Sequence, residues 1–142
     1  MRVIVAGGGR VGAQLATALC GAGDEVTVVD LAPVRAAGLA HAASGAEVPG
    51  PRVVTGSACV VEVLEAAGAL SADAVVACTG DDAKSLVIAA VAKRHLEVPR
   101  VVARCNVGEH ERLFDACWGV DVAGSYTSAL VAAVSRPGAA AP

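Results

Sequence analysis

The sequence predicts an α/β fold: a doubly wound parallel sheet of about six strands with helices on both faces, in a single domain. Three observations carry this. Short apolar runs rich in Val and Ala recur along the 142 residues, each separated from the next by a stretch of helical character. Several are continuous rather than alternating, as strands buried on both faces require. The first two flank a Gly-x-Gly-x-x-Gly turn, which belongs between a strand and a helix.

The elements follow in order. Arg2–Ala6 is the first strand, and Gly7 to Gly12 form the turn. Val11–Ala22 is a helix with Leu15 and Leu19 one turn apart on its inner face, stopped by Gly21 and Gly23. Glu25–Val29 is the second strand. Pro33 suits a helix's first turn, and an alanine-rich helix runs to about Ala43. The glycines and prolines of Ser44–Pro51 make a surface loop. Arg52–Thr55 is a short third strand, and Val60–Ala67 a helix with Val60, Val63, Leu64 and Ala67 on one face. Asp73–Cys78 is a fourth strand, apolar on both faces. The turn Thr79-Gly80-Asp81-Asp82 offers an N-cap to a helix from Ala83 to about Leu96. Val98–Ala103 is the fifth strand, Glu109–Trp118 a helix, Val120–Ala123 the sixth strand and Ser125–Val134 the last helix. The domain thus spans 1–134, and residues 135–142 have the composition of a frayed tail. Right-handed crossovers make 3-2-1-4-5-6 the natural strand order of such a Rossmann-like sheet.

Composition narrows the function. A net charge of −3 with no cluster of Lys or Arg argues against nucleic acid. The chain opens directly on a strand, which predicts no signal peptide. The apolar run Leu86–Ala92 is too short to span a bilayer and ends in Lys93-Arg94. The expectation is a cytoplasmic protein with no membrane insertion of its own. The five cysteines, Cys20, Cys59, Cys78, Cys105 and Cys117, show no metal or Cys-x-x-Cys spacing and read as small buried hydrophobes. Cys78 and Cys117 are the candidates for a redox-sensitive thiol. At 55% hydrophobic but only 2% aromatic, the core is built of Ala and Val, and a shared interface would help it.

In such a sheet, ligands bind beyond the carboxyl ends of the strands. Gly7, Gly8, Gly9, Arg10, Val11 and Gly12 follow the first strand. Gly7 permits the tight turn, Gly9 has no side chain to block a pyrophosphate, and Gly12 lets the helix lie close on the sheet. The helix N-terminus then presents free N–H groups to phosphates. Asp30 and Leu31 follow the second strand, Gly56, Ser57 and Ala58 the third, and Thr79 and Gly80 the fourth. Arg104 ends the fifth. Asp30 lies eighteen residues beyond Gly12, near the spacing of about 20 at which a carboxylate meets a ribose. Its charge would repel a 2′-phosphate, favouring NAD over NADP; its other reading is a helix-capping acid before Pro33. Arg10 could reach phosphates or sit in solvent. Arg104 could meet a phosphate or tie the sheet edge by a salt bridge. Thr79 could bind the ligand or cap the next helix. His41, His95 and His110 read as surface residues, with no obvious Ser or Cys partner. Glu109, Glu111 and Asp115 read as dipole complements.

The segments Gly7–Gly12, Val28-Val29-Asp30, Val53–Ala58, Ala72–Asp82, Val98–Arg104 and Gly119–Val122 occur here in an order that resembles the nucleotide-binding domain of bacterial potassium-transport regulators, the TrkA N-terminal or RCK (KTN) family. The resemblance covers about Met1 to Leu130. It implies a cytosolic regulatory subunit that binds NAD(H) or ATP/ADP. It also implies a homodimer or ring beneath a membrane potassium transporter or channel, whose shape changes with the ligand. By position, Gly7 to Gly12, Asp30, Ser57, Thr79 and Arg104 match the family's nucleotide contacts. Ser57 stands where the family usually has an acid, and the loop Gly45–Pro51 is longer than usual. The second, C-terminal regulatory domain common in the family has no counterpart in these residues. The last helix often crosses to a neighbouring subunit in this family, and Tyr126, Leu130, Val131 and Val134 give it an apolar face for that purpose. A regulatory module without catalysis is the leading expectation. A small NAD-dependent oxidoreductase cofactor domain is the alternative. Against it, Tyr126 has Leu130 rather than Lys four residues on, and no His–Asp dyad is visible. A structural partner whose nucleotide only stabilises the fold is a third reading.

Overall fold

The computed structural model describes residues 1–33 and 48–135. Six parallel strands, β1 (Arg2–Ala6), β2 (Glu25–Asp30), β3 (Arg52–Thr55), β4 (Ala74–Ala77), β5 (Arg100–Cys105) and β6 (Val122–Ser125), form one sheet. Their order is β3-β2-β1-β4-β5-β6, as expected. The described α-helices are α1 (Arg10–Gly21), α2 (Val61–Ala66), α3 (Asp82–Ala90) and α4 (Tyr126–Ser135). A π turn, Val91–His95, continues α3.

Successive side chains of a strand point to opposite faces, and in β1 both faces are buried. Val3 and Val5 pack with Ala16, Cys20, Val26 and Val28 beneath α1. Ile4 and Ala6 join the opposite cluster with Leu64, Val75, Ile88 and Val101, beneath α2 and α3. Burying each Val, Leu or Ile contributes about 1.5–3 kcal/mol, so the layered sheet is the main source of stability.

The inner stripe of α1 is not Leu15 and Leu19 but Gly12, Ala16 and Cys20. The two leucines are half-buried at its flank. Small residues at four-residue spacing let the helix lie close to β1, and leucines there would hold it off. The approach is closest at its first turn. A Cβ on Gly12 would stand 1.8 Å from the Gly7 carbonyl oxygen. Gly7 itself has φ +110°, and a Cβ there would stand 2.7 Å from the Cys78 carbonyl oxygen on the neighbouring chain segment.

The segment expected as one helix, Glu109–Trp118, is instead two short 3-10 segments, Gly108–Leu113 and Ala116–Trp118. Buried Phe114 leaves helical geometry between them. Asp115 then accepts the Cys117 N–H at 2.9 Å, starting a new turn rather than continuing the old one. β5 begins at Arg100, beyond Pro99, which has no N–H to give a ladder. β6 likewise starts two residues later than expected. Most of the helix expected over Pro33–Ala43, the first half of the loop Ser44–Pro51 and the tail after Ser135 lie outside the described residues. No described helix is long and apolar enough to cross a membrane.

Gly12→Ala should cost about 1–3 kcal/mol of unfolding free energy in urea titration, because the added methyl forces α1 away from β1. An unchanged midpoint would show that the helix has room to retreat.

Candidate nucleotide site

β1 pairs with β2 on one side and β4 on the other, so the chain changes direction at β1. A crevice opens at the carboxyl ends of these strands. It holds a cavity of about 550 Å³, within the range of small-molecule sites. Gly7, Gly9, Arg10 and Val11 line it from the first turn, and Asp30 and Leu31 from the end of β2. Gly56, Ser57 and Ala58 follow β3, Thr79 and Gly80 follow β4, and Arg104 reaches in from β5. Among the expected residues only Gly8 and Gly12 stand behind the wall rather than in it. Gly12 is the helix contact already described.

Gly8 has a different task. Its N–H donates to Asp30 Oδ2 at 2.6 Å, while Asp30 Oδ1 accepts the Ala32 N–H at 2.7 Å. The buried carboxylate therefore ties the glycine turn to the end of β2 and also closes the turn that follows. Each oxygen keeps a second lone pair, which is what a pair of sugar hydroxyls needs. Ser57 Oγ accepts the Cys59 N–H at 3.3 Å and shapes its own turn.

No side chain caps α1, and no acid lies in its first turn. Its leading N–H groups therefore face the cavity with the positive end of the helix dipole. Three cations surround the same space. Arg10 and Arg104 were expected; Lys84, one turn into α3, was not. None of the three makes an ion pair among the described residues. The sheet-edge salt bridge considered for Arg104 is thus not formed within that set. Its Nε is buried with no hydrogen-bond partner, and its guanidinium lies over the Tyr126 ring, 5.3 Å from the centroid.

Thr79 serves the turn. Its hydroxyl donates to the Asp81 carbonyl at 2.7 Å and lies 2.7 Å from Ser85 Oγ. The N-cap of α3 is Asp81, whose side chain accepts the Lys84 N–H at 3.1 Å. Cys59 and Cys78 also line the cavity. All five cysteines are free, but only Cys20, Cys78 and Cys105 are buried; Cys59 is half-buried and Cys117 exposed. Burial pushes the Cys78 thiol up, and the nearby Arg104 only partly offsets this.

A second polar cluster lies beside the cavity and was not legible in the sequence. Buried Asp82 accepts the Asn106 N–H at 2.7 Å, the Asn106 side-chain amide at 2.7 Å and the Val107 N–H at 3.0 Å. His110 Nδ1 lies 2.9 Å from its Oδ2. His110 is therefore not a lone surface residue, and an acid–imidazole pair does exist. Neither member lines the cavity. Burial alone raises the Asp82 carboxyl, but the hydrogen bonds from Asn106, His110 and Val107 together outweigh it and hold it below the usual range. Asn106 also donates to the Thr79 carbonyl at 3.0 Å, so the cluster braces the cavity floor. Glu111 accepts the Ser128 hydroxyl at 2.7 Å rather than serving a helix dipole.

A comparison with protein families decides the lineage. The TrkA-N domain family matches residues 3–125. The chain belongs to that family. A relative, the Trk system potassium uptake protein TrkA of Mycobacterium tuberculosis, is 37% identical over 136 residues. That match covers 96% of this chain but 59% of the relative, so this TrkA-N chain spans about six-tenths of its length. Among solved structures, the TrkA-N domain of inner membrane protein ybaL from Escherichia coli superposes with a TM-score of 0.79. It is 18% identical, with 94% and 93% of the two chains covered, and it shares the fold. The Shewanella denitrificans Kef CTD, in AMP-bound form, is 25% identical with a TM-score of 0.73, covering 95% of this chain and 79% of that one.

Asp82→Ala should cost about 1–3 kcal/mol, because the Asn106 and Val107 N–H groups lose their acceptor. The sign of the pH effect follows from the lowered carboxyl. Asp82 stabilises fully above the unfolded value of about 3.9 and loses that contribution as pH falls through its lower folded value. Urea titrations from pH 7 to pH 2 should show a steeper acid loss in wild type than in Asp82→Ala. Parallel curves would remove Asp82 from that role.

Proposed function

We propose that this TrkA-N domain is a cytosolic nucleotide-binding module. It regulates a Trk- or Ktr-type potassium uptake system or a potassium channel, without catalysing a reaction. One observation carries the reading: five strand ends converge on a cavity ringed by uncapped helix amides, three cations without ion pairs among the described residues, and one buried carboxylate. That donor set fits a phosphorylated nucleoside. Diphosphate oxygens would lie on the amides of α1, with Arg10, Lys84 and Arg104 as counter-charges. Asp30 would accept the ribose hydroxyls, and the base would lie towards Leu31, Ser57 and Ala58. The buried Nε of Arg104, without a hydrogen-bond partner among the described residues, fits this occupant. NAD(H) is the preferred ligand, favoured over NADP(H) because Asp30 repels a 2′-phosphate, with ATP or ADP the alternative. The TrkA name of the mycobacterial relative and the AMP in the Kef structure support the assignment.

Regulation then needs only differential affinity: a nucleotide shifts assembly shape as far as it prefers one shape over another. The assembly element is α4. Tyr126, Leu130, Val131 and Val134 are all more than half exposed on it. An apolar hollow of about 300 Å³, floored by Val76 and Val102, lies between α1 and the start of α4. A second copy of α4 would cover these surfaces, giving a homodimer or ring attached to the inner face of the plasma membrane through a transporter subunit. The oxidoreductase reading has no support from the site, because the acid–imidazole pair stands outside the cavity.

Asp30→Ala should weaken NAD binding by about 1–3 kcal/mol in calorimetry, through loss of a charged acceptor. Wild-type protein that ignores NAD, ATP and ADP at millimolar levels would end the nucleotide reading. Leu130→Glu should weaken the dimer at least about tenfold in sedimentation equilibrium, since one buried leucine carries about 1.5–3 kcal/mol. Wild type sedimenting as a monomer at high concentration would remove α4 as an interface.

A further inference from the structure

We infer that Arg104 and Tyr126 form the mechanical link between the nucleotide cavity and α4. The inference rests on the nucleotide reading and extends it to how occupancy is felt outside the cavity. Arg104 is half-buried and lines both the 550 Å³ cavity and the apolar hollow at the root of α4. With Val11 and Cys78, which also line both, its side chain forms the partition between them, and of the three it alone is charged. The guanidinium faces Tyr126, the first residue of α4, at 5.3 Å. Its buried Nε has no hydrogen-bond partner among the described residues.

The geometry of a guanidinium makes the link cooperative rather than competitive. Its five N–H donors lie in the plane, while the aromatic ring meets the face. A phosphate on the edge and a ring on the face can therefore be held together. Without a phosphate, the guanidinium has the Cys78 thiol beside it but no oxygen acceptor among the described residues to fix that plane. With one, the guanidinium is held in place, and with it the cation that lies over the Tyr126 ring. α4 has little else to hold it. It contributes no buried residue, and among the described residues its side-chain hydrogen bond to the rest of the fold is Ser128 to Glu111. Coupling is reciprocal, so docking of Tyr126 must favour the nucleotide as much as the nucleotide favours docking.

The test uses ADP and the full 142-residue chain. Amide hydrogen exchange over residues 126–135 and calorimetric affinity are compared in wild type, Tyr126→Phe and Tyr126→Ala. ADP should slow exchange in α4 of wild type and Tyr126→Phe but not of Tyr126→Ala. Tyr126→Ala should bind ADP about two- to fivefold more weakly, the scale of an exposed cation–π contact. Adenosine, which has no phosphate to grip Arg104, should leave α4 exchange unchanged even at saturation. Tyr126 is 57% exposed, so its replacement tests the link without disturbing the core. ADP binding that is equally tight in Tyr126→Ala, or equal protection of α4 by ADP in that variant or by adenosine in wild type, overturns the link and leaves the nucleotide site standing. Wild type that binds no ADP, ATP or NAD overturns the site itself, and the link with it.

Discussion

The closeness of α1 to the end of β1 is the constraint from which the site descends. The Gly12 backbone lies against the Gly7 carbonyl with no room for a methyl group. Only that contact brings the uncapped amides of the first turn down to the level of the strand ends. Asp30 depends on it as well, because its bond to Gly8 requires the turn to fold back over β2. A bulkier stripe than Gly12, Ala16 and Cys20 would lift the helix, separate the amides from Asp30 and open the crevice. Packing and chemistry are the same fact at this position.

Charge then sets what the crevice will hold. Arg10, Lys84 and Arg104 face it without ion pairs among the described residues, and Asp30 already shares its charge with two backbone donors. A chain with a net charge of −3 thus gathers three cations, without ion pairs among the described residues, beside the carboxylates of Asp30 and Asp81. Dispersed surface charges are screened by salt over about 8–10 Å. Charges converging on a recessed site with helix amides act together on an anion. That contrast favours a phosphorylated ligand over a neutral one of similar size.

The sheet was legible because two local signals agreed. Continuous apolar runs marked parallel strands, and the glycine turn placed the first crossover, so the strand order and most of the cavity wall followed. The departures have separate physical causes. Leu15 and Leu19 suggested an inner face by size, whereas the close packing demanded small residues. Lys84 lies one helical turn into α3, beyond the turns that follow the strands, so the strand-end rule does not reach it. The Asp82 cluster joins residues 24 to 28 positions apart through a loop that was read as a regular helix. Nothing local to Asp82 or His110 announces the other. Long-range polar pairing has no sequence period, unlike burial.

That hidden cluster changes how the domain should respond to a ligand. Asn106 bonds both Asp82 and the Thr79 carbonyl, so the loop after β4 is braced to the segment after β5 by several hydrogen bonds. Asp82 ties His110 into the same frame. The cavity floor is therefore stiff. α4, with no buried residue of its own, sits at the opposite extreme of local stability. A ligand gripping both meets one side that resists and one that yields, and its binding energy is expressed where resistance is least. The proposed path through Arg104 leads to that yielding side, the surface on which a second copy would dock.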